Sequence, residues 1–328
     1  MTDDGGVIDW LLDPHHSDPS IGWQVMRDLA DAPEPVWAAE RAKVETEGWG
    51  ARLLSHQDGD GQWAGGAFIP IDFEAREWEE IGQPWTATIF SLSQLREFGL
   101  EPSSDRAQQT VELIGLNSRW DHDGQPYWEG EVEECINGRT VASGAYFGVD
   151  VSSIVDRLVG ERLDDGGWNC ERAYGSSRSS FASTINVLEG LLEFEKATGG
   201  TAGSKEARMT GQEYLLERNL FRSLSTGEPA DERFLWLLHP NRWRYDILRT
   251  LDYFRDAATL TGTDPDRRLG EGIDYVRSRR LEDGTWPLDW SLPGRVWFDV
   301  DDGVGKPSRW VTLRAMRVLK WWESAAAL

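Results

Sequence analysis

The positions of apolar residues along the chain predict a protein built from α-helices. In the segment 268–277, Leu269, Ile273 and Val276 recur at the spacing that places them on one helix face. Four segments have the same periodicity and are more apolar, at 86–98, 180–196, 245–255 and 309–322. More charged helices are predicted between these runs, at 36–55, 105–119, 151–163, 205–220 and 265–280. Alternating β-branched runs are almost absent, so we predict an all-α fold.

Tryptophan residues mark the ends of the charged helices. The chain has 18 of them in 328 residues, and an Asp-Gly-x-Trp turn occurs at 57–63, 162–168 and 280–286, with a looser copy at 123–128. We expect Asp-Gly to stop each helix, because glycine accepts the left-handed conformation of a helix C-cap. The following Trp is expected to fold back over the helix end as a buried plug whose indole N–H has a partner.

A charged helix, a Trp turn and an apolar helix thus alternate about five or six times, which is the pattern of a repeat protein. A single helical hairpin cannot bury its apolar face, so neighbouring hairpins must stack, as an open solenoid or as a closed ring. Long loops before the apolar helices favour the ring. We therefore predict one all-α domain over 1–328, an α/α-toroid with inner and outer helix rings, in which 1–18 is a short N-terminal extension.

The segment Gln57-x-x-Asp60-Gly61-x-Trp63 resembles the QW repeat of squalene-hopene cyclases. The order of the hairpins is similar to the α/α-toroid that terpenoid cyclases share with protein prenyltransferase β-subunits, and this resemblance extends from Ile21 to Leu328. It implies a cavity for a hydrophobic or amphipathic small molecule. Fold resemblance says much less about the reaction.

Residues 299–302 (Asp-Val-Asp-Asp) match the acid motif of these cyclases. The resemblance makes Asp301 the general acid and Asp299 and Asp302 its neighbours. Clustered carboxylates can raise the pKa of one acid until it protonates an alkene or epoxide, which implies cyclisation or isomerisation. Here residues 303–307 separate the motif from the next helix, unlike the cyclase pattern, and a solvated acidic turn is the alternative.

The starts of the apolar helices are the other predicted place for chemistry, because helix N-termini carry free N–H groups and partial positive charge. Candidate substrate-binding residues there are Trp85, Asn137, Arg139, Cys170, Asn186, Arg244 and Trp310. Tyr245 and Asp246 are candidates for catalysis, or they cap and pair a helix start. Small residues at 141–148 either allow close helix approach or leave space for a ligand.

Two interpretations of the cysteines remain open. Cys135 acts as a nucleophile activated by the helix terminus and Arg139, or it is a structural thiol. Cys135, Cys170 and His239 each precede an apolar helix, and three such ligands with an open position would suit catalytic zinc. Among toroids, prenyltransferases hold zinc with Asp, Cys and His and lanthionine cyclases with two Cys and one His, although their local motifs are not matched here. Zinc is therefore a possible cofactor.

The net charge of the chain limits the classes of molecule that it can bind. The chain has 34 basic and 57 acidic residues and a net charge of −23, which disfavours nucleic acid and anionic lipid surfaces. We expect no integral membrane segment and no signal peptide, and with two cysteines a cytoplasmic location. The oligomeric state is not indicated.

The predicted function is a squalene/terpenoid cyclase-like enzyme, with a non-catalytic binding or scaffold toroid and a zinc-dependent Cys/Cys/His toroid enzyme as alternatives. The surroundings of Trp85, Tyr245 and Trp310 distinguish the cyclase-like enzyme from the non-catalytic toroid. In an enzyme these three residues should line a sealed apolar pocket with Asp246 or Asp301, and in a scaffold the mouth should be filled by the protein's own side chains.

Overall fold

The structure, a computed structural model, describes residues 4–326, and over this range its regular secondary structure is helical with only isolated β-bridges. The α-helices are α1 (Asp4–Leu11), α2 (Pro19–Asp28), α3 (Glu34–Ala42), α4 (Gly48–Ser55), α5 (Ala75–Glu80), α6 (Thr88–Phe98), α7 (Asp105–Asn117), α8 (Glu134–Tyr146), α9 (Ser152–Gly160), α10 (Phe181–Thr198), α11 (Ala202–Leu216), α12 (Ile247–Thr261), α13 (Gly270–Ser278) and α14 (Arg309–Ala326). Short 3-10 turns lie at Lys43–Glu45, Tyr127–Glu129, Cys170–Tyr174, Glu232–Leu235 and Arg267–Leu269. The all-α prediction is confirmed. Among the described helices, none has both the length and the apolarity of a membrane span.

The predicted apolar runs correspond to α6, α10, α12 and α14. The predicted helix 36–55 is wrong as a single element, because it breaks between α3 and α4. At this break Gly48 has a φ of 63°, and a Cβ on Gly50 would lie 2.1 Å from the carbonyl oxygen of Val44. The backbone therefore folds too closely at this point for an uninterrupted helix.

The chain divides into two compact units. The first unit comprises 1–43, 215–292 and 299–328, and the second unit comprises 44–214 and 293–298. In the first unit α14 packs against α2 and α12, and α2 also contacts α1 and α3. In the second unit the most extensive contact is between α8 and α10, and α6 and α9 also pack on α8.

A buried ion-pair network connects three helices of the first unit. Arg317 of α14 donates to Asp252 of α12 and to Gln24 and Asp28 of α2. Burial opposes ionisation of Asp252, but the guanidinium groups of Arg317 and Arg255 outweigh it and lower the pKa of this carboxyl. The network therefore keeps its charges paired away from water.

Glycines let α8 and α10 approach closely in the second unit. A Cβ on Gly138 would lie 2.4 Å from the carbonyl oxygen of Asn186, and a Cβ on Gly190 would lie 2.4 Å from that of Gly138. Farther along α8, a Cβ on Gly144 would meet the side chain of Val151 at 2.4 Å. At Gly144 the small-residue run thus provides close packing, which is the first of the two alternatives that the sequence left open.

The tryptophans of the Asp-Gly-x-Trp turns are buried plugs, as predicted. Trp63, Trp168 and Trp286 are fully buried. Each indole N–H donates to the carbonyl oxygen ten residues earlier, namely Leu53 (2.9 Å), Leu158 (2.7 Å) and Val276 (2.7 Å). Each backbone N–H donates to a threonine hydroxyl near the start of the following apolar helix, namely Thr88 (3.1 Å), Thr184 (3.1 Å) and Thr312 (2.9 Å). One Trp residue thus connects the end of a charged helix to the beginning of the following apolar helix.

The Asp-Gly dipeptides do not stop the helices, so that prediction is wrong. α4, α9 and α13 end at Ser55, Gly160 and Ser278, before the turns. Gly61, Gly166 and Gly284 follow with φ values of 92°, 99° and 88°. Their left-handed conformation shapes the turn that brings the Trp back over the helix end.

We predict that Trp168→Ala lowers the free energy of unfolding by roughly 3–5 kcal/mol, because it removes a fully buried ring. Trp168→Phe keeps most of the ring but leaves the Leu158 carbonyl without its indole donor, so it should cost about 1–3 kcal/mol. Urea unfolding followed by circular dichroism measures both. Trp78→Ala is the control, because Trp78 is 45% exposed and its loss should change stability by about 0.5 kcal/mol or less. Equal costs at positions 78 and 168 would contradict the structural role of the plug.

Candidate functional site

Asp301 lies in the loop before α14, beside a buried histidine. Its side chain is 8% exposed, whereas that of Asp302 is 70% exposed. The Oδ2 atom of Asp301 is 3.9 Å from Nδ1 of His239, whose side chain is completely buried. The His239 ring stacks on Trp310, the second residue of α14, with centroids 4.4 Å apart and planes inclined by 19°. Asp301, His239 and Trp310 therefore form one cluster within the first unit, which we call the acid cluster.

The pKa of Asp301 is raised to about 7, chiefly by burial and also by the nearby Asp302 carboxylate, although a hydrogen bond from Ser308 and the charges of Arg309 and Arg314 act in the opposite direction. A large share of Asp301 is therefore protonated at neutral pH. A solvated acidic turn describes the exposed Asp299 and Asp302 but is wrong for Asp301. We leave Asp299 and Asp302 out of the reacting groups for this reason.

Asp246 is a helix cap. It is buried at the start of α12, where Oδ1 accepts the backbone N–H of Arg249 at 2.7 Å and Oδ2 accepts the side-chain amide of Asn241. Arg314 of α14 donates to the amide oxygen of Asn241. Burial raises the pKa of Asp246 to about 6 against these stabilising contacts. Both carboxylate oxygens are engaged, which favours the capping interpretation over the catalytic one.

Tyr245 and Arg244 also have local partners. The Tyr245 hydroxyl donates to the carbonyl of Leu220, and its ring packs edge-on against Phe234. The Tyr245 hydroxyl proton is used in a hydrogen bond to the main chain, and both carboxylate oxygens of Asp246 accept hydrogen bonds. We therefore leave Tyr245 and Asp246 out of the proposed catalytic set. Arg244 lies over the rings of Trp243 and Trp290, at 4.6 and 5.2 Å, and burial lowers its pKa. It stays a candidate for substrate binding.

The three aromatic residues that separate the enzyme and scaffold hypotheses are packed against protein. Trp85, Tyr245 and Trp310 are 3%, 3% and 2% exposed. Trp85 donates its indole N–H to the carbonyl of Pro293 and packs edge-on against Phe90. This arrangement favours the scaffold hypothesis at these positions.

Each unit contains an open cavity. That of the second unit measures about 480 Å³ and is lined by Asp72, Arg295 and Trp297 among others. That of the first unit measures about 440 Å³, and its lining includes Arg280, Trp286 and Lys320. Trp85, Tyr245 and Trp310 line neither of them.

A second cluster, in the second unit, joins both cysteines to a carboxylate. The Sγ atom of Cys135 is 3.6 Å from Oε2 of Glu133, and Cys170 Sγ accepts the backbone N–H of Cys135 at 3.4 Å. Cys170 raises the pKa of the Cys135 thiol well above its usual range, and burial and Glu133 raise it further. These neighbours disfavour the thiolate, so we leave Cys135 out of the proposed catalytic set.

The structure brings a residue beside the two cysteines that was not among the predicted zinc ligands. Glu133 completes a group with Cys135 and Cys170, whereas His239 belongs to the acid cluster of the first unit. Glu133 could have been recognised as a candidate ligand from the sequence, because it stands two residues before Cys135, at the N-cap of α8. No sequence pattern indicated the contact between His239 and Asp301, since the two residues are distant along the chain.

The remaining predicted binding residues lie inside the second unit. Asn137 is fully buried and clamps the backbone of Glu131, accepting its N–H and donating to its carbonyl, both at 2.7 Å. Asn186 donates to the carbonyl of Ala182 at 2.7 Å. Arg139 is buried on α8. The contacts of Asn137 and Asn186 are structural ones.

Comparison with known proteins identifies the fold. No protein family matches the sequence, and no curated protein is significantly similar to it. Among solved structures, the chain is similar to a glycosyl hydrolase family 88 protein from Bacteroides vulgatus, with a TM-score of 0.52 and 10% identity over 100% of both chains. It also matches the type II terpene cyclase MstE from Scytonema in its apo form, with a TM-score of 0.37 and 13% identity over 88% of this chain and 99% of that one. The first likeness shows an α/α-toroid fold, as predicted.

The acid cluster predicts a pH dependence of stability. The folded pKa of Asp301 is about 7 and its ordinary value is 3.8, so the folded protein binds more protons between these values. Stability due to the neutral acid is therefore present at low pH and is lost as pH rises through about 7. Asp301→Asn should remove this loss. The free energy of unfolding of the variant minus that of wild type should therefore increase from pH 4 to pH 8, by about 4 kcal/mol.

Urea unfolding at a series of pH values measures this difference. Asp299→Asn is the matched control, because Asp299 is an exposed carboxylate two residues earlier. Its pH profile should follow that of wild type. Parallel profiles for wild type and Asp301→Asn would show that Asp301 is not a buried neutral acid.

Proposed function

We propose that this chain is an enzyme that uses Asp301 as a general acid on a hydrophobic or amphipathic small molecule, in an acid-initiated cyclisation or isomerisation. The observation that carries the proposal is the buried carboxyl group of Asp301, with a pKa of about 7 and His239 3.9 Å away. An ordinary aspartate is fully ionised at neutral pH and cannot donate a proton. Strongly perturbed titratable groups concentrate at functional sites.

The surroundings of Asp301 suit proton donation. When the acid transfers its proton to a substrate carbon, the carboxylate that forms is stabilised by the positive charges of Arg309 and Arg314. Ser308 adds a hydrogen bond to the same carboxyl group. The substrate cation then loses a proton from another carbon to solvent, which completes the isomerisation or cyclisation. One proton from solvent returns to the acid through His239, the group beside Oδ2, so that no net proton is gained or lost per turnover.

Charge and composition support two further aspects of the proposed function. The net charge of −23 supports a small-molecule substrate over nucleic acid. Two cysteines, both free thiols, support a cytoplasmic location. We do not propose the zinc-dependent Cys/Cys/His enzyme, because His239 is part of the acid cluster.

A non-catalytic binding protein is the second candidate function. It is favoured by the burial of Trp85, Tyr245 and Trp310, which the protein's own groups cover. In that case Asp301 and His239 would be a polar part of the core, and no compound would be converted.

The proposal predicts solvent-derived hydrogen in the product. The purified protein is incubated in D₂O with a panel of amphipathic polyenes and with small-molecule extracts, and consumed compounds are followed by mass spectrometry. Protonation of carbon by Asp301 should leave one deuterium on carbon per turnover, because the carboxyl proton exchanges with solvent. Cyclisation or isomerisation otherwise leaves the mass unchanged, whereas hydrolysis or hydration adds one water.

Asp301→Asn should lower the rate by at least about 100-fold, and the wild-type rate should fall as pH rises above about 7, where the acid loses its proton. Asp299→Asn should retain activity. Conversion that proceeds equally well in Asp301→Asn would sink the assignment of the acid. No conversion by wild type across the panel and the extracts would favour the binding protein.

A further inference from the structure

Glu133, Cys135 and Cys170 bring three metal-binding side chains together outside the acid cluster. Glu133 is the N-cap of α8, Cys135 lies in its first turn, and Cys170 begins the 3-10 turn Cys170–Tyr174. One donor atom of each residue lies within 4.8 Å of the other two. Two separate segments of the second unit thus converge on one point with two sulfurs and one oxygen.

The spacing suits a small tetrahedral ion. Zinc binds cysteine sulfur at about 2.3 Å and carboxylate oxygen at about 2.0–2.2 Å, so donor atoms on a tetrahedron around it lie roughly 3.5–3.8 Å apart. The 3.6 Å between Cys135 Sγ and Glu133 Oε2 has this value. All three residues are partly exposed, which leaves a path for the ion and an open fourth position.

Neighbouring groups orient the Cys170 sulfur. It accepts the Cys135 backbone N–H at 3.4 Å and the Ser183 hydroxyl at 3.2 Å. Ser183 is itself fixed, because its hydroxyl oxygen accepts the Cys170 N–H at 3.1 Å. Hydrogen bonds of this kind hold a metal-bound sulfur in position. The N-terminal end of α8 adds partial positive charge next to the anionic donors.

We propose that the thiolates of Cys135 and Cys170 and the carboxylate of Glu133 bind one Zn²⁺ ion, whose fourth position takes water or an oxygen or nitrogen atom of a ligand. Two soft sulfurs select zinc over magnesium or calcium, and the single oxygen is compatible with zinc. This donor set differs from the Cys/Cys/His set expected from the sequence. The test of this site reads metal binding, so its outcome does not depend on the acid function.

The experiment measures metal binding by the full-length protein. Chelator-treated protein, kept reduced, is titrated with Zn²⁺ in competition with a chromophoric chelator, and with Co²⁺ as a spectroscopic probe. We expect one zinc per chain. With Co²⁺ we expect the visible bands of a tetrahedral ion and a thiolate-to-cobalt charge-transfer band, which Cys135→Ser and Cys170→Ser should each reduce by about half.

The variants test each part of the site. Each cysteine variant should weaken zinc affinity by more than about 100-fold, and Glu133→Gln by about 10-fold or more. Ser183→Ala should weaken zinc affinity by about 10-fold but keep the full intensity of the thiolate-to-cobalt charge-transfer band, because it removes only the hydrogen bond to Cys170. Glu129→Gln is the control, since Glu129 is an exposed glutamate of the same loop. The zinc affinity of this variant should equal that of wild type.

Circular dichroism establishes that each variant is folded before its affinity is compared. Failure of the reduced wild-type protein to take up zinc would overturn the proposal. So would unchanged affinity in both cysteine variants. A third contrary result is a Cys135 to Cys170 disulfide that forms in air while the reduced protein binds no metal, which would make the pair a redox couple.

Discussion

The hydrogen bond from a buried indole to the carbonyl ten residues earlier is the interaction on which the hairpins of this protein depend. Leu53, Leu158 and Val276 lie in the last turn of their helices, where carbonyl groups lack the N–H that a continuing helix would supply four residues later. Leu53 and Val276 also accept a backbone N–H at the helix end, from His56 and Arg279. The Trp side chain satisfies one of these carbonyls and covers the helix end with apolar surface. Because its backbone N–H binds a threonine near the start of the next apolar helix, the same residue fixes where that helix begins.

This connection concentrates chemistry at the starts of the apolar helices. The acid cluster lies at the beginning of α14, the helix that follows the Trp286 turn. Glu133 and Cys135 lie at the beginning of α8, and Cys170 follows Trp168 closely. The loops there are long enough to carry polar side chains, and the helix ends supply the N–H groups and the positive charge that anionic groups need.

Two buried aspartates of the first unit differ in their contacts, and this difference underlies the proposal that Asp301 is the acid. Burial raises the pKa of both Asp246 and Asp301. Asp246 accepts a helix N–H with one oxygen and an amide with the other, so it has a complete structural role. Asp301 has His239 at 3.9 Å from Oδ2 and a pKa near neutrality, which is the combination that a proton donor needs.

The all-α class, the alternation of charged and apolar helices and the buried Trp plugs were determined by the sequence alone, because each follows from periodicity or turn chemistry within a short stretch of chain. The break before α4 was missed, since it depends on a close backbone contact between Val44 and Gly50. Only the tertiary structure decided the partners of the reactive side chains. His239 lies 3.9 Å from Asp301, and Glu133 lies beside Cys135 and Cys170. Local patterns place such residues at helix starts, but which of them touch depends on the paths of long loops and on packing between distant segments.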